Sequence, residues 1–256
     1  MQDVNFSYAG KNFIVVGASS GMGKQIALEL SQAGANVLTL ARRVEIMEQF
    51  KENQGAGQII PAFVDVTVAT PSDWDSIIKN FVSEYGKING GVYTAGVGGR
   101  TVLRNLNEDF AKLTMDTSYW GMLHFLQSAT KKRFSAEGAS FVVFSSTAAI
   151  HPAKGQLVYA SAKAAVKNAV QTVAKEISVN KQRINSISPG WILNTEMAAE
   201  QINEFGISEN TRKNFWLGEG TTDKVSGMVL FLLSSRADWI TGTDIVIDGG
   251  QILGAL

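Results

Sequence analysis

A chain of 256 residues, 45% hydrophobic and 18% charged, is long enough to bury a substantial core, and it is expected to form one α/β domain over residues 1–256. Lysine plus arginine equals aspartate plus glutamate at 23 each, so the net charge of +0 offers no overall field for nucleic acid or an acidic membrane surface. Cysteine is absent and His124 and His151 are the only histidines, which excludes disulfides, thiolate nucleophiles and histidine metal clusters.

The opening MQDVNFSYAG lacks a basic segment followed by an apolar one, and no apolar run approaches the roughly 20 residues that span a bilayer. A soluble, cytoplasmic protein is expected. Strand-like apolar runs then recur at Asn12 to Val16, Asn36 to Leu40, Gln58 to Val64, Asn89 to Thr94, Ala139 to Ser145, Arg183 to Ile187 and Asp244 to Ile247, with helical segments between them. The runs near Val15, Val142 and Ile245 are apolar on both alternating sets of positions, the pattern of parallel strands covered on two faces. The alternation predicts a doubly wound parallel sheet of Rossmann-like type. The four prolines, Pro61, Pro71, Pro152 and Pro189, are expected at element boundaries. The least regular stretch, about Gly190 to Thr221, follows the sixth strand and precedes a helix starting near Thr222, the place for a substrate lid.

Directly after the first strand stands Gly17-Ala-Ser-Ser-Gly21-Met-Gly23, followed by a helical stretch Lys24 to Ala33. Glycines there admit a tight turn and bring backbone N–H groups to a pyrophosphate at a helix N-terminus, although a plain strand-to-helix turn has the same composition. The second strand runs into Arg42-Arg43, where NAD-binding proteins usually place an acid. Arginines at that point suit a 2′-phosphate, so NADP(H) is expected over NAD(H), unless the pair merely solvates the next helix. Asp65 closes the third strand, as an adenine contact or a simple turn former, and Gly96, Gly98 and Gly99 follow the fourth.

Tyr159-Ala-Ser-Ala-Lys163 opens an alanine-rich helix reaching about Val179, and residues four apart share a helix face. A neighbouring ammonium, together with the positive nicotinamide of an oxidised cofactor, lowers a phenol's pKa from its usual value near 10 towards the range of a working acid or base. Alone, such a pair arises by accident on many helices. Ser146, at the end of the fifth strand and one loop earlier, strengthens it by placing a hydroxyl near the phenol.

Taken together, these motifs resemble the short-chain dehydrogenase/reductase family. The likeness spans nearly the whole chain, through Gly17, Gly21, Gly23, Asp65, Thr94-Ala-Gly96, Ser146, Tyr159, Lys163, Ser188-Pro-Gly190 and the tail from Ile240 to Gly250. It implies hydride exchange between nicotinamide and a ketone or secondary alcohol, with Tyr159 as general acid/base, Ser146 bound to the substrate oxygen, and Lys163 on the nicotinamide ribose. The implied cofactor contacts are Gly17, Ser19, Ser20, Gly21, Met22, Gly23, Arg42, Arg43, Asp65, Val66, Ala95, Gly96, Tyr159, Lys163, Pro189, Gly190, Ile192 and Thr195. Similar members associate through two helices and the last strand. A homo-oligomer, tetramer or dimer, is therefore expected through helices at about Glu108 to Phe134 and Gln156 to Val179.

The chain departs from the family pattern at four points. Val16 replaces a threonine before the first glycine, and Tyr93-Thr94-Ala95-Gly96 replaces an Asn-Asn-Ala-Gly string. Ser118 stands where an asparagine supports a water in a proton relay, and Thr195 lies one residue further from Pro189 than is usual. The lid contributes Trp191, Met197, Phe205, Phe215 and Trp216, with Glu196, Glu200 and Arg212 among them, either to enclose an apolar substrate or to pack the lid. A 3-oxoacyl-thioester or related ketone reductase is the leading expectation. A cofactor-binding scaffold with little catalysis, or a catabolic alcohol or sugar dehydrogenase, are the alternatives.

Overall fold

The computed structural model describes residues 4–206 and 213–254. Among these, seven parallel strands form one sheet in the order β3-β2-β1-β4-β5-β6-β7, where β1 is Asn12–Val16, β2 Asn36–Ala41, β3 Gln58–Phe63, β4 Ile88–Tyr93, β5 Ser135–Phe144, β6 Arg183–Pro189 and β7 Asp244–Ile247. The chain steps outward from β1 to β3, then returns to the other side of β1 with β4. That reversal opens a crevice at the carboxyl ends of β1 and β4.

The helices are α1 (Gly21–Gln32), α2 (Val44–Lys51), α3 (Pro71–Tyr85), α4 (Glu108–Met115), α5 (Gly121–Ala129), α6 (Leu157–Ile177), α7 (Glu196–Phe205) and α8 (Thr222–Leu233). One core, under α1 and α8, buries Phe13, Val15, Ile26, Leu30, Val142 and Val229. The other, under α3, α5 and α6, buries Ile14, Val16, Trp74, Phe125, Phe141 and Val166. Neighbouring residues of β1 thus point into opposite cores, which is why both of its alternating sets are apolar.

Several expectations change in detail. Pro61 lies inside β3, paired with Thr39, and not at a boundary. It is tolerated because β3 is the sheet edge, where a missing N–H costs no ladder bond. The helix expected over Glu108 to Phe134 is two helices joined by a π-helical turn, Asp116–Trp120, and it ends at Ala129. β5 starts at Ser135, earlier than Ala139, with a register irregularity against β4. β7 is an edge strand and only half-buried, so the apolar run at Ile245 is not covered on both faces. The supposedly irregular segment after β6 contains α7, begun by Thr195, whose hydroxyl accepts from the Ala198 N–H at 3.2 Å. Residues 207–212 of that segment, Arg212 among them, and the side chain of Phe205 lie outside the described residues.

Candidate active site

The glycine loop leaves β1 through Gly17, whose φ of +83° is left-handed, and enters α1 at Gly21, with φ +53°. A side chain on Gly17 or Gly23 would stand 2.6 Å from the Thr94 hydroxyl, and one on Gly23 would come within 2.3 Å of the Gly17 carbonyl. The glycines are therefore required by close packing as well as by torsion. Thr94 ties the loop down: its hydroxyl donates to Val16 O at 2.8 Å and is 3.2 Å from Gly17 O. Two departures from the family pattern thus meet, since the hydroxyl missing at position 16 is present on the facing strand end.

A cavity of about 500 Å³ runs from Ala41, Arg42 and Arg43 past Asp65 and Val66, along Ser19 to Gly23, to Thr94, Ala95 and Gly96. It adjoins a second of about 310 Å³, with Met22, Thr94, Gly96, Thr195 and Met197 lining both. The second holds Ser146, Tyr159, Lys163, Pro189, Gly190 and Ile192. Every residue expected to bind cofactor or to react borders one of the two, except Ser118, which stands just behind the wall. The combined shape and its donors fit an extended dinucleotide: cationic at the Arg42 and Arg43 end, backbone amides at the start of α1, hydroxyls at the other end.

Several expected residues have local duties too. Asp65 accepts from the Thr67 N–H at 3.0 Å and the Thr67 hydroxyl at 2.7 Å, a turn-forming role. Burial alone would raise its pKa, but the bonds from Thr67 and the Arg42 charge outweigh that and hold the carboxyl below its usual range. The Thr195 hydroxyl donates to Ile192 O at 2.9 Å while capping α7, and its methyl comes within 3.4 Å of where a side chain on Gly21 would begin. Arg43 does not stand alone at the end of β2, because it pairs with Glu196 from α7 at 2.8 Å.

At the reacting end, Ser146 caps a short 3₁₀ turn, accepting from the Ala148 N–H at 3.1 Å, and it hydrogen-bonds Tyr159. The Lys163 ammonium lies 5.8 Å from the Tyr159 ring centroid and donates to Phe144 O at 2.9 Å. Ser145 donates to Lys163 O at 2.9 Å, locking the start of α6 to the end of β5. Burial pushes the Tyr159 phenol above its ordinary value, with the Ser146 bond acting the other way, and burial pulls Lys163 down to about 8. The expected acidification, which counts the positive nicotinamide of an oxidised cofactor along with the lysine, is therefore not a property of these groups alone. Desolvation wins because both sit in low dielectric and the ammonium approaches the ring face at long range.

Ser118 lies on the π-helical turn, buried, and its hydroxyl has no hydrogen-bond partner among the described residues. A side chain on Gly96 would find Lys163 Nζ at 3.2 Å and the Ser118 hydroxyl at 3.8 Å, so these two groups share one small space. π turns are frequent at functional sites because the extra residue re-aims the side chains around it. Of the lid residues, Trp191 and Met197 face the smaller cavity, whereas Trp216 packs over Gly250. Arg100, His151, Asn214 and Gln251 also line that cavity. No motif flagged these four, which converge from separate loops.

A parallel sheet with a nucleotide crevice at its reversal point, and a serine, tyrosine and lysine gathered beside it, define a dehydrogenase or reductase of the doubly wound class. Residues 17–251 match the family model described as Enoyl-(Acyl carrier protein) reductase. The chain belongs to the short-chain dehydrogenase/reductase family. It is 30% identical over 250 residues to the 3-oxoacyl-[acyl-carrier-protein] reductase of Thermotoga maritima, covering 95% of this chain and 98% of that one. The protein of the same name from Chlamydia muridarum is 29% identical over 258 residues, covering 97% and 100%. A solved short-chain type dehydrogenase/reductase from Mycobacterium ulcerans superposes with a TM-score of 0.90 at 28% identity, covering 98% of this chain and 92% of that one. Among the described residues, no helix is long and apolar enough to cross a membrane.

Proposed function

We propose that this oxidoreductase is an NADP(H)-dependent carbonyl reductase of the 3-oxoacyl-thioester type, cytoplasmic and homo-oligomeric. The observation that carries the reading is the convergence of Ser146, Tyr159 and Lys163 on a cavity that adjoins the nucleotide crevice. Cofactor binding alone would not require that set. The names of the relatives support C=O chemistry, and a paired serine and tyrosine hydroxyl suits a carbonyl oxygen.

NADPH, when bound, supplies the hydride. The backbone amides from Ser19 to Gly23 would hold its pyrophosphate, Arg42 and Arg43 the 2′-phosphate, Asp65 and Val66 the adenine, and Ala95, Gly96 and Lys163 the riboses. Pro189, Gly190, Ile192 and Thr195 would hold the carboxamide end. Ser146 donates a hydrogen bond to the substrate carbonyl oxygen, which polarises it and fixes its distance from the phenol. Tyr159, kept protonated by its burial, delivers the proton to that same oxygen. Lys163 favours the phenolate left behind, and Ser118, beside it, is the chain's only candidate among the expected residues to relay a replacement proton through water.

Exposed Leu106, Trp120 and Leu157, on and around α4 to α6, are the surface on which a second copy would pack. The decisive experiment follows NADPH oxidation against a panel of ketones, 3-oxoacyl thioesters and enoyl thioesters, with Tyr159→Phe alongside. Turnover on an oxo substrate, lowered about 10²- to 10⁴-fold in the variant while NADPH still binds, is expected. Turnover on enoyl thioesters alone, or tight binding with no turnover and no effect of the variant, refutes the proposal.

A further inference from the structure

Arg43 and Glu196 are distant in sequence, yet they meet over the mouth of the nucleotide crevice. The guanidinium makes a two-pronged contact, Nη2 to Oε2 at 2.8 Å and Nη1 to Oε1 at 3.3 Å, while Nη2 also reaches Ser19 Oγ at 3.3 Å. Arg43 is the N-cap of α2, just after β2, Ser19 belongs to the glycine loop, and Glu196 is the first residue of α7. All three line the larger cavity. The hydrogen bonds from Arg43 hold the Glu196 carboxyl below its ordinary range, with smaller contributions from Ser20 and Lys24.

The carboxylate that is missing from the end of β2 is therefore supplied by the lid. An acid at that point favours a ribose 2′-hydroxyl, and a guanidinium favours a 2′-phosphate. Here the two are paired with each other, so a 2′-phosphate gains the full use of Arg43 only when Glu196 lets go. We infer that Glu196 is a specificity-determining residue: it competes with the 2′-phosphate for Arg43, restrains the preference for NADPH over NADH, and makes binding of the 2′-phosphate release the N-terminus of α7. This rests on the NADPH reading above and adds to it the device that sets the strength of the preference.

The size of the effect is bounded by exposure, since the two side chains are 43% and 57% accessible. Pairs of that kind carry up to about a fivefold factor in an equilibrium. The test is a set of equilibrium titrations of NADPH, NADH and 2′,5′-ADP with the wild type, Glu196→Gln, Glu196→Ala, Arg43→Gln and the Arg43→Gln/Glu196→Gln double variant. Both Glu196 variants should bind NADPH and 2′,5′-ADP about three- to fivefold more tightly, with clearly less change for NADH, and the gain should vanish when Arg43 is also replaced. An unchanged or reduced NADPH-to-NADH preference in both Glu196 variants overturns the inference. So does an equal gain in the Arg43→Gln background, which would assign the effect to general repulsion of phosphate. If replacing Arg42 and Arg43 together leaves the preference untouched, the NADPH reading itself fails; if it abolishes the preference while the Glu196 variants do nothing, only this inference fails.

Discussion

Replacing Thr94 by valine tests whether one hydroxyl holds the glycine loop in place. The side chain keeps its shape, but the donor to Val16 O at 2.8 Å, also 3.2 Å from Gly17 O, becomes a methyl. One proton serves both contacts, so the lost hydrogen bond is worth about 1 kcal/mol. The methyl then sits well inside the roughly 3.5 Å at which non-bonded heavy atoms are comfortable. Positions 17 and 23 offer no relief, because their backbone lies so close that even a Cβ there would stand only 2.6 Å from the same oxygen. Overpacking of this kind costs about 1–3 kcal/mol, giving a total of about 2–4 kcal/mol. Urea titration should show that loss as a lower midpoint with an unchanged slope. Thr94→Ser keeps the donor and forfeits one methyl, so it should lose only about 1 kcal/mol. NADPH affinity should fall in the valine variant and hold in the serine variant, because only the former displaces the amides of residues 17 to 23. A valine variant as stable as wild type, with unchanged NADPH affinity, would refute the role given to Thr94.

Two further outcomes follow from buried charge. Lys163 titrates at about 8 in the folded chain, against about 10.4 when unfolded, so between these values the unfolded state binds the extra proton and stability rises with pH. The cofactor-free protein should gain up to about 1.4 kcal/mol per pH unit from this group across pH 8 to 9.5, and Lys163→Met should lack that increment; parallel stability curves would contradict it. Arg183, buried at the start of β6, donates to Leu232 O at 3.0 Å, Ser234 O at 3.1 Å and Ile240 O at 3.2 Å, closing the carboxyl end of α8. Arg183→Met should cost about 2–4 kcal/mol in urea titration, and a loss under about 0.5 kcal/mol would show those contacts to be incidental.

The sheet was legible because its strands carry their own signature. Val15 and Val16 enter different cores and both must be apolar, and every one of the seven runs became a strand. What failed to show depends on partners remote in sequence. Pro61 reads as a boundary until β3 is known to be the edge strand. The break at Asp116–Trp120 has no proline or glycine within it to announce it, and Ile245 gives no hint that β7 lacks a neighbour. At the site, the glycine loop, Ser146, Tyr159 and Lys163 were readable because motif and mechanism share a short spacing. The pairing of Arg43 with Glu196 was not, since it spans the chain from the end of β2 to α7, and the basic residues alone suggested an unopposed cation.

Burial governs the electrostatics of the reacting pair. A sequence view credits Lys163 and an oxidised nicotinamide together with acidifying Tyr159; in the chain alone the phenol is raised and the ammonium lowered, each by its own burial. Near neutral pH the chain's own groups therefore present a protonated phenol and a lysine whose charge is only moderately secure. A protonated phenol is the form that donates a proton, whereas acting as a base demands additional positive charge nearby. Lys163 also spends one donor on Phe144 O, which holds the ammonium beside Gly96 and Ser118. Its contribution to Tyr159 is then a field acting across the ring, which lowers the cost of leaving a phenolate behind without making the resting tyrosine acidic.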